Sequence, residues 1–220
     1  RTRPILLNSW EAMYCNVSME KIDIQSSLAK DLGIELFVLD DGWFRSGNTT
    51  QTSMGDWICN EQKLPGGIKT AADLVHKKGL LFGLWFEPEM VNADSQLYRA
   101  HPDWVVRVNE REPVEARNQL ILDLSKDEVC DYIIRSVSAV LSSANVEYVK
   151  WDMNRQMADM PCLGYNHKYT LGFYKIMSAI TGAFPNVLFE GCSAGGGRFD
   201  AGVLAYMPQI WTSDNSDAVA

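Results

Sequence analysis

Short apolar runs that end in polar or acidic residues recur along the chain: Ile5-Leu6-Leu7, Leu36 to Leu39, Leu80 to Phe86, Leu120-Ile121-Leu122, Val146 to Val149, Val187-Leu188-Phe189 and Ile210-Trp211. Runs that are apolar on both faces predict buried parallel strands. Helical stripes lie between them. Ile24, Leu28 and Leu32 are spaced by four; Ile68, Ala71, Ala72 and Val75 share a face before Gly79; Phe173, Met177, Ile180 and Phe184 share another before Pro185. The clearest stripe is Val129, Ile133, Ile134, Val137, Val140 and Leu141, introduced by Ser125-Lys126-Asp127-Glu128. That Ser and Glu spacing predicts a capping box, in which each side chain bonds the other residue's backbone amide.

Strand followed by helix, repeated at intervals of roughly 25–45 residues, is the pattern of a parallel α/β fold, either a (β/α)8 barrel or a doubly wound sheet. The polar residues separate the two. Trp10, Asp40 and Asp41, Glu87 and Glu89, Arg117, Asp152, Cys192 and Asp214 each fall just past a predicted strand. A doubly wound sheet gathers its site at one switch point, whereas a barrel collects loops from all its strands at one face. The expectation is one domain, residues 1–220, forming a (β/α)8 TIM barrel truncated after about strand seven. An eighth strand is missing from that count, and the open barrel leaves unpaired edges.

Composition narrows the function. The chain has 220 residues, 46% hydrophobic and 22% charged, with no low-complexity tract or repeat of fixed period. Its net charge of −8 lacks the basic footprint of a nucleic-acid binder and disfavours an anionic membrane surface. No stretch approaches the length of an apolar membrane span. Five cysteines (Cys15, Cys59, Cys130, Cys162, Cys192) form no Cys-x-x-Cys pair, which argues against a disulfide framework or structural zinc and points to a reducing, cytoplasmic setting. The chain begins at Arg1 rather than Met, so an upstream segment is expected.

Three segments carry candidate chemistry. In Val149-Lys150-Trp151-Asp152-Met153-Asn154, strand alternation turns Lys150, Asp152 and Asn154 toward one side and Trp151 and Met153 toward the other. This is either a strand-end salt bridge between Lys150 and Asp152 or a convergent polar site. Ile210 to Asp217 contains Trp211-Thr212-Ser213-Asp214, which is either a solvated turn or the source of a second carboxyl group. Asp40 and Asp41 could accept hydrogen bonds from hydroxyls or, with Glu87 and Glu89, bind a divalent metal. The histidines give such a metal no support, because His76, His101 and His167 lie in or near helical segments. Trp10, Trp85 and Trp211 sit where aromatic faces could line a pocket, while Trp43, Trp57, Trp104 and Trp151 are read as structural or left undecided. Gly191 to Arg198 lacks the Gly-Lys-Ser/Thr ending of a P-loop and is read as a tight loop that lets a ligand approach the backbone.

Taken together, these segments resemble the catalytic barrel of family 36 glycoside hydrolases, the microbial α-galactosidases. The resemblance rests on Trp10, Phe37-Val38-Leu39-Asp40-Asp41-Gly42-Trp43-Phe44, Gly83 to Met90, Arg117-Asn118-Gln119, Lys150 to Arg155, Glu190-Gly191-Cys192-Ser193 and Trp211 to Asp214, in the family's order. It implies Asp152 as the nucleophile that forms a covalent galactosyl-enzyme, and Asp214 as general acid and then base. It further implies that Asp40 and Asp41 bind the galactose 4- and 6-hydroxyls, with Trp10, Trp85, Arg117, Lys150, Asn154, Cys192 and Trp211 completing the sugar pocket.

No metal or organic cofactor is implied. The partner is an α-galactoside of melibiose or raffinose type, and the full-length protein is expected to be a homo-oligomer. Two related readings differ in outcome: a raffinose- or stachyose-synthase-like galactosyl transferase, and a non-catalytic galactoside-binding fragment.

The physics expected of the pair is specific. Lys150 beside Asp152 would keep it ionised, partial burial near Asp152 would keep Asp214 protonated, and the carboxyl groups would stand about 5–5.5 Å apart. The chain departs from the family at Ala194, where glycine is usual, at Ser216, where threonine is frequent, and in lacking the family's flanking β domains. The isolated chain is therefore expected to have little activity.

Overall fold

A computed structural model describes residues 3–215. In chain order the strands are β1 (Leu6–Asn8), β2 (Leu36–Leu39), β3 (Leu81–Phe86), β4 (Met90–Val91), β5 (Leu120–Ile121), β6 (Tyr148–Trp151), β7 (Leu188–Gly191) and β8 (Gln209–Ile210). The helices are α1 (Trp10–Met13), α2 (Met19–Asp31), α3 (Gly67–His76), α4 (Gln96–Ala100), α5 (Asp127–Ser143), α6 (Tyr165–Ala183) and α7 (Ala201–Leu204), with a 3-10 turn at Pro102–Trp104. Six strands pair in parallel in the order β1-β2-β3-β6-β7-β8 and curl into a half-barrel with α2, α3, α5 and α6 between them.

Strand alternation divides the core in two. Phe37, Leu39, Phe82, Leu84, Phe86, Val149, Trp151 and Phe189 face the helices and join their apolar stripes in the main core. Leu36, Val38, Tyr148 and Leu188 face inward with Leu6, forming a small separate cluster inside the curl. Register aligns Val38, Gly83, Tyr148 and Leu188 across four strands. Gly83 is small because a Cβ there would stand 3.0 Å from the Tyr148 Cβ. Two residues further along each strand the inward layer becomes polar, with Trp85, Lys150, Glu190 and Gln209 in register.

Four expectations from the sequence are corrected. The Leu120-Ile121-Leu122 run is not a barrel strand: β5 pairs antiparallel with β4, and β3 pairs directly with β6, so the parallel sheet has six described strands rather than seven. Burial makes a run apolar but says nothing of its partner. The Ile24, Leu28, Leu32 stripe faces outward, at 52%, 57% and 80% exposure, because α2 packs through Ile22, Ser26 and Ala29. Small residues bring that helix close to its neighbours, and Ser26 Oγ satisfies itself on the Ile22 carbonyl at 2.6 Å.

The capping box is absent as well. Helix α5 starts after Lys126 with no side-chain cap, and Ser125 Oγ instead donates to Asp123 Oδ1 at 2.6 Å. Finally, the glycines after β7 admit the chain itself rather than a ligand. A Cβ on Gly195 would stand 2.9 Å from the backbone of Ser213 and of Asp214. Ser216 and Asp217 lie outside the described residues.

Candidate active site

Backbone pairing continues one residue beyond the strands and aims the next side chains inward. Asp152 N donates to Phe86 O, Cys192 N to Trp151 O and Trp211 N to Gly191 O, each at 2.8 Å. A cavity of about 610 Å³ opens at this end of the half-barrel, a size suited to a small organic ligand. Of the eleven residues singled out from the sequence, Trp10, Asp40, Asp41, Trp85, Arg117, Lys150, Asp152, Asn154, Trp211 and Asp214 line it. Cys192 lies buried behind this wall, and burial followed by the neighbouring Asp152 charge pushes its thiol pKa up.

Asp152 is held by three donors. Trp85 Nε1 at 3.0 Å and Asn154 Nδ2 at 2.6 Å both reach Oδ2, and the Met153 amide reaches Oδ1 at 2.8 Å. Trp85 is itself fixed, since its carbonyl accepts Trp43 Nε1 at 3.0 Å and its ring stacks on Phe44. Such preorganised donors orient a carboxylate without immobilising it anew at the moment of reaction.

Lys150 pairs with Asp40 rather than Asp152: its Nζ lies 3.1 Å from Asp40 Oδ2, with both side chains buried. This corrects the simplest reading of the Lys-x-Asp spacing. Two residues apart on a strand, the side chains are parallel neighbours, and the shortest reach runs across the barrel to the end of β2. Burial alone would lower the Lys150 pKa, but the Asp40 and Asp152 carboxylates outweigh it and hold the ammonium above its ordinary value. Its charge also sits 4.4 Å from the Trp211 ring centroid, a cation–π contact.

Asp41 belongs to a different network. Fully buried Arg45 grips it bidentately, Nε to Oδ1 at 2.6 Å and Nη2 to Oδ2 at 2.8 Å. The remaining guanidinium donor is spent on the Thr50 and Thr52 carbonyls and Asn92 Oδ1. Arg45 was not singled out from the sequence. Glu89 is taken out of the site altogether, since it bonds Arg198, Trp151 and Tyr169 on the helix side of the sheet. Among the described residues no group of three or more His, Cys, Asp or Glu is placed to hold a metal ion.

Asp214 sits at the cavity rim, where Trp211 Nε1 donates to its Oδ1 at 3.1 Å. It is exposed, so the expected partial burial is corrected: the segment after β8 lies over the glycine loop at the mouth rather than in the wall. Asn8, Glu87 and Gln119 also line the cavity. Asn8 is a sequence miss with a readable signal, since it shares the inward parity of Leu6. Its Nδ2 donates to Asp40 Oδ2 at 2.6 Å while its Oδ1 accepts the Trp10 amide at 2.8 Å, tying three lining residues together.

This arrangement places two carboxyl groups of contrasting environment on one cavity, one buried and triply held, the other at the open rim. A buried oriented carboxylate can attack an electrophilic carbon, and an exposed one can exchange protons with a leaving group or water.

The sequence model of the family described as Melibiase matches residues 1–220. The chain is 54% identical to the α-galactosidase AgaA of Geobacillus stearothermophilus, over 100% of this chain and 31% of that protein. The crystal structure of that enzyme superposes with a TM-score of 0.96, covering 100% of this chain and 32% of the other. A variant of the same enzyme solved in complex with raffinose gives 0.94 at 53% identity, with the same coverage of both chains. The chain thus spans about a third of the length of the relatives it matches.

Proposed function

This chain belongs to the Melibiase family, whose glycoside hydrolase family 36 members align with it from end to end, and from that membership we propose that it is the catalytic part of a retaining α-galactosidase. The observation that carries the proposal is the Asp152 carboxylate, held by Trp85, Asn154 and the Met153 amide on a cavity whose rim bears Asp214. The half-barrel is read as most of a (β/α)8 TIM barrel, and residues 1–220 as its catalytic domain. Raffinose bound to the Geobacillus relative supports α-galactosides of that type as substrates.

In the first step an Asp152 oxygen attacks the anomeric carbon from the face opposite the leaving group. As that C–O bond breaks, Asp214 gives its proton to the departing oxygen. In the second step water, surrendering a proton to Asp214, attacks the same carbon and releases Asp152. Two inversions give net retention. The exposed rim suits Asp214 to this exchange, because leaving group and water both reach it there. Lys150 and Asn8, converging on Asp40, fix the direction in which that carboxylate faces a sugar hydroxyl. Arg45 does the same for Asp41. In this reading Trp10, Trp85, Trp211, Arg117, Asn154 and Cys192 shape or support the galactose subsite. The five unpaired thiols support a reducing compartment.

The test is proton NMR of the first-formed sugar when the full-length protein hydrolyses an α-galactoside. α-Galactose appearing before mutarotation is expected. β-Galactose appearing first would overturn the retaining assignment, and no hydrolysis would overturn the activity.

A further inference from the structure

We propose that Glu87 is a positioning residue for this reaction, holding the Asn154 segment and, through it, the nucleophile Asp152. The inference rests on the assignment of Asp152 made above. Glu87 follows β3 with the inward parity of Trp85, is 1% exposed and lines the cavity. Its Oε1 accepts the Asn154 backbone amide, and its Oε2 lies 2.9 Å from Gln119 Nε2. Asn154 in turn places its side-chain amide on Asp152 Oδ2. Strand β3 therefore reaches the nucleophile twice, directly through Trp85 Nε1 and indirectly through Glu87.

Like buried Asp123, Asp152 and Glu190, Glu87 lacks, among the described residues, the cation that three other buried carboxyl groups have. Buried Asp40, Asp41 and Glu89 pair with Lys150, Arg45 and Arg198 respectively. Glu87 has no ion pair among the described residues, and the charges that face it, Asp152 after β6 and Asp41 after β2, are both anionic. A buried carboxyl without a counter-ion is cheaper to keep protonated than to ionise. Burial first, then the Asp152 carboxylate, accordingly push its pKa up to about 8. Gln119 offers the acceptor such an acid needs: its carbonyl oxygen is buried without a partner, and turning the amide brings that oxygen opposite Glu87 Oε2. At neutral pH Glu87 is thus a neutral hydrogen-bonding strut that adds no charge beside Asp152. When Glu87 loses its proton, a second negative charge repels Asp152 and loosens the Asn154 segment.

The experiment compares kcat/KM against pH for the full-length protein and its Glu87→Gln variant on p-nitrophenyl α-galactoside. Gln keeps the neutral shape and cannot ionise. The variant should hold neutral-pH activity within about fivefold of the wild type. The wild-type alkaline limb near 8 should move up by at least about one pH unit in the variant. An unmoved limb, or a folded variant inactive at every pH, overturns the proposal. Should Glu87→Gln fail to fold, infrared spectra of the wild type with carbon-13 glutamate decide. A protonated-carboxyl band that titrates near 8 and persists in Glu190→Gln supports the proposal, and its absence overturns it. Failure of the wild type to hydrolyse any α-galactoside would refute the galactosidase assignment instead, leaving the infrared result to report on Glu87 alone.

Discussion

Replacing Lys150 by Met removes the cation from a buried pair while keeping most of the side chain's volume. The Nζ to Asp40 Oδ2 distance is 3.1 Å, and the two side chains are only 7% and 4% exposed, so neither charge is shielded by bulk water. Breaking such a pair from one side costs about 3–5 kcal/mol, because the remaining charge is buried and unpaired. Asp40 retains Asn8 Nδ2 at 2.6 Å and the Asp41 amide at 2.9 Å. These two donors place the expected loss for Lys150→Met at the lower end, about 3 kcal/mol. Asp40→Asn should cost less, about 2 kcal/mol, since Lys150 still feels the Asp152 charge. In Asp40→Asn/Lys150→Met no buried charge is stranded at this position, and the double variant should recover at least about 2 kcal/mol of the summed losses. The assay is a double-mutant cycle on urea unfolding of the full-length protein, following the transition reported by the barrel tryptophans. Losses that add to within about 0.5 kcal/mol would refute the claim that the pair acts as a unit.

Three further outcomes follow from the same geometry. Asp214→Gly should spare the first step for substrates with good leaving groups and slow the second, so stopped-flow should show a burst of p-nitrophenol followed by slow turnover; uniform slowing without a burst would contradict the acid/base role. Ala194 holds a left-handed φ of +47° and is exposed, so Ala194→Gly should stabilise the fold by about 0.5–1 kcal/mol in thermal unfolding, and destabilisation would contradict a strain cost there. Glu87 has a folded pKa of about 8 against an ordinary 4.5. Its contribution to stability is therefore fully present below about 4.5 and lost as pH rises through about 8; Glu87→Gln should flatten that fall in melting temperatures, and an unchanged slope would contradict it.

Where the sequence was legible, one physical rule was enough. Alternation along Val149 to Asn154 placed Lys150, Asp152 and Asn154 on one side, and the apolar runs overlapped all six parallel strands, of which β2, β6 and β7 are fully buried. Facing stripes on α3, α5 and α6 were equally plain. The misses share a cause: the deciding partner is distant in sequence. Nothing near Lys150 signals Asp40, 110 residues away, and nothing near Leu120 signals pairing with Val91. The α2 stripe misled because Ser26 and Ala29 allow closer packing than its larger apolar residues do. Arg45 carried no local signal, although its spacing of four from Asp41 fits the ion pair they form. The roles of Asp152 and Asp214 came from family resemblance; the structure adds the donors around one and the open rim beneath the other.

Azide rescue of Asp152→Gly in the full-length protein decides whether Asp152 is the nucleophile. With the carboxylate gone, azide enters the vacated space and attacks the anomeric carbon of an activated α-galactoside from the face Asp152 would have used. Restored turnover with β-galactosyl azide as product is expected. Unimpaired hydrolysis by the variant without azide, or an α-galactosyl azide, would contradict that role.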